Sequence, residues 1–85
     1  MQNINIELVD GITYSVSVGH HLFAVTVDDA DATQLAGGDA EALVRESFRF
    51  LLEREPVTSI LLNFDLAAIE RYFPEWREEM HRRFG

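Results

Sequence analysis

The widest apolar arc in the chain lies in residues 39–56, which read D-A-E-A-L-V-R-E-S-F-R-F-L-L-E-R-E-P. Stepped at ~100° per residue, Phe50, Leu43, Ser47, Ala40, Leu51, Val44, Phe48 and Leu52 sweep roughly 200° of a helical wheel. Arg45, Glu46, Arg49 and Glu53 occupy what remains. A surface helix needs an apolar stripe only a little wider than ~100°, so the pattern predicts a central helix over about 39–55 that is covered from two sides. Asp39 is suited to accept hydrogen bonds from first-turn amides, and Glu41 sits where the helix dipole favours an anion. Pro56 lacks an amide hydrogen and forces Glu55 out of helical angles, which ends the helix there. Glu41 with Arg45 and Arg49 with Glu53 are i,i+4 pairs on its polar side.

Ahead of this helix the apolar period changes to two. Ile4, Ile6 and Leu8 alternate with Asn5 and Glu7, and Ile12, Tyr14, Val16 and Val18 alternate with Thr13, Ser15 and Ser17. Strands are predicted over about 2–8 and 12–18. A two-residue turn on Asp10-Gly11 would set Ile6 opposite Ser15, with the apolar faces in conflict. A three-residue loop, Val9-Asp10-Gly11, instead pairs Leu8 with Ile12, Ile6 with Tyr14 and Ile4 with Val16, and that register is expected. A third strand over about 22–27 presents Phe23, Val25 and Val27 on one face. A turn centred on Gly19, His20 and His21 would place Phe23 opposite Val18 and Val25 opposite Val16. Three strands with one apolar face need a cover, and the central helix is the available one.

The remaining segments read as short helices. Asp28, Asp29 and Asp31 open one over about 29–36, anchored by Leu35 and ended by Gly37. Val57, Ile60, Leu61 and Phe64 follow i, i+3, i+4, i+7, which predicts a helix over about 58–63. Leu66, Ile69, Phe73, Trp76, Met80 and Phe84 continue one stripe through Pro74, where proline would break a helix interior but suits a helix start. Helices are therefore expected over about 66–72 and 75–83, the latter supported by Glu78 with Arg82 and Glu79 with Arg83. The class that emerges is α+β: a three-stranded antiparallel meander at the N-terminus, packed on the central helix and followed by short C-terminal helices, within one domain over 1–85.

Composition narrows the chemistry. With 85 residues the core is small and stability on the order of 5 kcal/mol is expected. No cysteine is present, which excludes disulfides, thiolate catalysis and cysteine-ligated zinc or iron-sulfur sites. No lysine is present either, which excludes Schiff-base chemistry and a phosphate-loop lysine. Residues 1–44 carry Glu7, Asp10, Asp28, Asp29, Asp31, Asp39 and Glu41 and no basic residue, and all seven arginines lie in 45–85. The net charge of -8 removes the main driving force for nucleic-acid binding and suits a basic protein partner or simple solubility. Neither a leader-like N-terminus nor a membrane-length apolar run is evident, so a cytoplasmic protein without membrane association is expected.

Residues 48–76, F-R-F-L-L-E-R-E-P-V-T-S-I-L-L-N-F-D-L-A-A-I-E-R-Y-F-P-E-W, carry a further signal. Their E-R-E-P, S-I-L and Y-F-P-E order resembles a recurrent element of small, acidic, uncharacterised bacterial proteins that have a short N-terminal hairpin. The resemblance covers about a third of the chain. It implies a helical C-terminal half and a bacterial setting, and it brings no activity and no catalytic residue.

Chemical constellations are sparse. His20 and His21 are adjacent in sequence and lack a helical-spaced His or carboxylate partner, while His81 is remote, so turn histidines rather than a metal site are expected. The Asp28, Asp29, Asp31 cluster lacks a calcium loop and reads as helix capping. Glu53 and Glu55 diverge around the helix, and Ser47 lies on its buried face without a base. No catalytic residue, cofactor site or metal site is expected, and the chain reads as a non-enzyme. Tyr72, Trp76, Met80 and Phe84 are the candidate partner surface, because aromatic side chains dominate binding hot spots. Closing the core behind the central helix is their competing role. A free sheet edge at 4–8 or 22–27 is the second candidate. The expected function is a small protein-interaction or regulatory domain that binds a partner protein or forms a homodimer. The alternative is an accessory nucleic-acid-associated protein using arginines of the C-terminal helices.

Overall fold

The computed structural model describes residues 3–85; the expected start of the first strand at Gln2 lies outside them. The chain is α+β. Strands β1 (Ile4–Asp10), β2 (Thr13–Val18) and β3 (His21–Thr26) form an antiparallel meander, followed by α1 (Asp29–Ala36) and α2 (Ala40–Arg54). A 3₁₀ turn at Val57–Ser59 leads into β4 (Asn63–Asp65), and a second at Leu66–Ala68 runs directly into α3 (Ile69–Tyr72). The last element is α4 (Trp76–Phe84).

The sheet has four strands in the order β1-β2-β3-β4, one more than the expected three. β4 pairs parallel to β3, with Ala24 opposite Asn63 and Thr26 opposite Asp65, and Ala24 N–H donates to the Leu62 carbonyl at 2.8 Å. The helix expected over 58–63 is thereby replaced by a 3₁₀ turn and a strand. The edge of β3 presents unpaired amides, and a segment that reaches them gains hydrogen bonds that a surface turn of helix would lack. Helical spacing of four apolar residues is weak evidence against that gain.

Both hairpin registers also differ from expectation. Leu8 faces Tyr14, Ile6 faces Val16 and Ile4 faces Val18, while Val16 faces Phe23, Tyr14 faces Val25 and Val18 faces His21. Each pairing has slipped by two residues, because both connections are two-residue turns. Gly11 (φ 48°) and Gly19 (φ 60°) take the left-handed conformation at the first turn position. In the first hairpin the register shifts between Leu8 and Asp10 and leaves Val9 without a partner, which lets a two-residue turn coexist with matched apolar faces. A slip of two preserves the face of every side chain. Ile12 falls in the turn and is half exposed.

α2 has cover on two sides. Phe48, fully buried, meets Phe23 of β3 at 5.3 Å between ring centroids and Phe64 of β4 at 6.0 Å. On its other flank Phe50 meets Phe73 edge-on at 5.8 Å, with the Arg54 guanidinium 3.6 Å above the Phe50 ring. Asp39 caps the helix by accepting from Ala42 N–H at 3.0 Å, and Glu55 is extended ahead of Pro56. Of the expected i,i+4 pairs, Glu41 with Arg45 forms at 3.5 Å, whereas Arg49 turns back to Glu46.

Candidate functional site

The stripe that runs from Leu66 to Phe84 is divided by the fold. α3 ends at Tyr72, Phe73 is no longer helical, and Trp76 begins α4 after Pro74. Trp76 and Met80 point into the core with no solvent exposure, Phe84 is half buried, and Tyr72 is 68% exposed. Two of the four expected surface residues therefore offer no surface. The reason lies on α2: Ser47, itself fully buried, accepts the Trp76 indole N–H at 3.0 Å and directs its own hydroxyl to Met80 Sδ at 3.8 Å. A serine in the apolar arc satisfies the one polar atom that Trp76 carries inward.

Tyr72 instead belongs to an apolar cleft of about 400 Å³ between the C-terminal end of α2, the segment after Pro56, and α3. Leu51, Ile60, Phe64, Ile69 and Phe73 line it, and Tyr72 and Leu61 stand at its margin. Leu61 is 56% exposed and the adjacent Leu62 66% exposed. Glu55 and Ser59 bring the polar atoms, and Glu55 is the one charged side chain in the lining. Leu61 and Leu62 were not legible as surface residues, because the segment that carries them reads as a helix; the one available signal was the open edge of β3.

The charged side chains are mostly occupied. Arg77 joins Asp31 of α1 at 3.0 Å and Glu70 of α3 at 3.3 Å. Burial acts to lower the affinity of the Arg77 guanidinium for its proton, but these carboxylates outweigh it and raise its pKa. Arg83 reaches Glu46, Glu53 and Glu79, which ties α4 to α2. Glu79 is held below its ordinary carboxylate range, first by the hydrogen bond from Arg83 and then by that from Arg82. Arg54 meets Glu53 and Glu75. Among the described residues only Arg71 lacks a carboxylate within 4.0 Å. Asp28 caps α1 by accepting from Ala30 N–H, so this acidic cluster is engaged in helix capping and in the Arg77 bridge. Among the described residues no group of three or more His, Asp or Glu side chains is placed to hold a metal ion. His20 lies exposed in the turn after β2, and His21 starts β3.

No helix among the described residues is long and apolar enough to cross a membrane. Comparison with protein-family models, curated proteins and solved structures returns no match for this chain. The cleft offers an apolar shape with two polar side chains in its lining, Glu55 and Ser59.

Proposed function

We propose that this chain is a non-enzymatic protein-interaction or regulatory domain whose working surface is the cleft beside Tyr72. The observation that carries this reading is the grouping of exposed Leu61 and Tyr72 at a preformed apolar depression. Exposed large apolar groups scattered singly need no explanation, but grouped around a cleft they favour a partner side chain. The candidate surface set out from sequence, Tyr72, Trp76, Met80 and Phe84, reduces in this reading to Tyr72 joined by Leu61. Glu55 at the cleft suits a partner segment that carries a basic residue next to a bulky apolar one.

The alternative of an accessory nucleic-acid-associated protein finds less support. Six of the seven arginines meet carboxylates of the same chain, so they present neutral pairs rather than a basic patch. Affinity capture from a bacterial lysate, the setting implied by the resemblance of residues 48–76, tests the proposal with three baits. A partner retained by the wild-type chain and by Leu22→Ser, but lost with Tyr72→Ser/Leu61→Ser, supports the cleft. Equal capture by all three baits would overturn it.

A further inference from the structure

β1 leaves one side of its backbone open, and the hydrogen-bond pattern says which residues face that opening. Val18 and His21 close a two-residue turn and so bond to each other; alternation along β2 then turns Ser15 and Ser17 toward β1. Their partners Glu7 and Asn5 bond inward. The main-chain N–H and C=O groups of Ile4, Ile6 and Leu8 consequently point away from the sheet. Ile4 agrees with this assignment, since its carbonyl accepts from Arg45 Nη1 at 2.6 Å rather than from β2. The strand carries no proline or lysine of the kind that commonly blocks an edge, and Leu8 is 56% exposed.

We infer that this edge is completed by β1 of a second copy of the chain, running antiparallel on a two-fold axis through Ile6. In that register Ile6 pairs with its own symmetry mate and Ile4 pairs with Leu8 of the second copy, so every outward group finds a reciprocal partner. Asn5 falls opposite Glu7. The register shifted one way sets Glu7 against its own mate, and the one shifted the other way leaves Leu8 unpaired within the strand. The Ile4 carbonyl has two lone pairs, so it accepts from the second copy while keeping Arg45. Ile4 and Leu8, on the core face, cover one another across the junction.

The charges beneath the sheet fit the same axis. α2 runs antiparallel to β1: Leu8 shares a depression with Ala40 and Glu41, whereas Ile4 lies against Arg45. The two-fold axis through Ile6 exchanges these two ends, which brings Arg45 of each copy beside Glu41 of the other. Within one chain the two meet at 3.5 Å with side chains 34% and 56% exposed, so the crossed contact joins two such pairs into a four-charge cluster of alternating sign. The result is one continuous eight-stranded sheet built from the two four-stranded ones. It uses the opposite side of the molecule from the Tyr72 cleft, so either surface can fail without the other.

Sedimentation equilibrium of the full chain from about 1 µM to about 1 mM should show a reversible monomer–dimer system, a range that spans weak to moderate affinities. Ile6→Pro deletes an N–H that faces the open edge and leaves the β1–β2 bonds intact, and should raise the dimer Kd by about tenfold or more. Arg45→Glu should weaken the dimer similarly, and the exchange Glu41→Arg/Arg45→Glu should restore it, with circular dichroism unchanged throughout. A monomer over the whole range would overturn the inference. So would a dimer that ignores the edge and charge variants but is lost with Tyr72→Ser/Leu61→Ser.

Discussion

Trp76 donates its indole N–H to Ser47 Oγ at 3.0 Å, and both residues are wholly buried. This contact locks α4 against α2 and decides that the only tryptophan of the chain belongs to the core. Ser47→Ala leaves the indole N–H without a partner in a dry site. A loss of about 1–3 kcal/mol is expected, the cost of an unsatisfied buried donor. Chemical denaturation followed by Trp76 fluorescence measures it, and a change under 0.5 kcal/mol, roughly the scatter of neutral surface substitutions, would show that the contact is idle.

Phe48 joins β3 to β4 through α2, packed on Phe23 and Phe64. Phe48→Ala should cost about 3–5 kcal/mol, the range for emptying a large aromatic site. A chain of this size has little more than that to lose, so the variant should show no cooperative thermal transition by calorimetry. Retention of a sharp transition near the wild-type temperature would contradict the central placement of Phe48.

Tyr72 and Leu61 contribute to the cleft margin and little to the core. Tyr72→Ser/Leu61→Ser should change stability by no more than about 1 kcal/mol, since exposed positions typically stay within ±0.5 each, while abolishing partner capture. Thermal midpoints of the two proteins side by side separate loss of binding from loss of folding.

Glu79 is held below its ordinary value of 4.5 by the hydrogen bonds from Arg83 and Arg82. The unfolded chain therefore binds the proton more readily than the folded one, and the contribution to stability is present above about pH 4.5 and lost as pH falls through that value toward the folded pKa. Thermal midpoints of wild type and Glu79→Gln should differ at pH 7 and draw together as pH falls below 4.5. Parallel curves across this range would mean that the Glu79–Arg83 pair is not formed in solution.

Asp31 and Arg77 join α1 to α4 across 46 positions of sequence at 3.0 Å. The pair is partly exposed, so Asp31→Asn should cost at most about 1 kcal/mol and the cost should shrink in high salt. Urea titrations at low and at molar sodium chloride test both statements.

The chain's own pattern was sufficient for the ends of the helices, where a cap or a missing amide decides. Asp39 and Pro56 bound α2, Gly37 closes α1 with φ 62°, and Pro74 separates α3 from α4, because a cap, a left-handed glycine and a missing amide act within one turn of helix. The faces of β1, β2 and β3 were legible too, since period two survives a slip of two residues; their registers were not, because the two-residue turns, not apolar matching, selected which residues meet. Tertiary structure alone decided the rest. The unpaired amides of β3 drew residues 63–65 into the sheet and thereby exposed Leu61 and Leu62. Spacing placed Trp76, Met80 and Phe84 on one stripe with Tyr72 adjacent to it in sequence, but could not say which side would be covered. The Ser47 hydroxyl on α2 settled that for Trp76 and Met80, because a buried indole N–H goes where an acceptor waits.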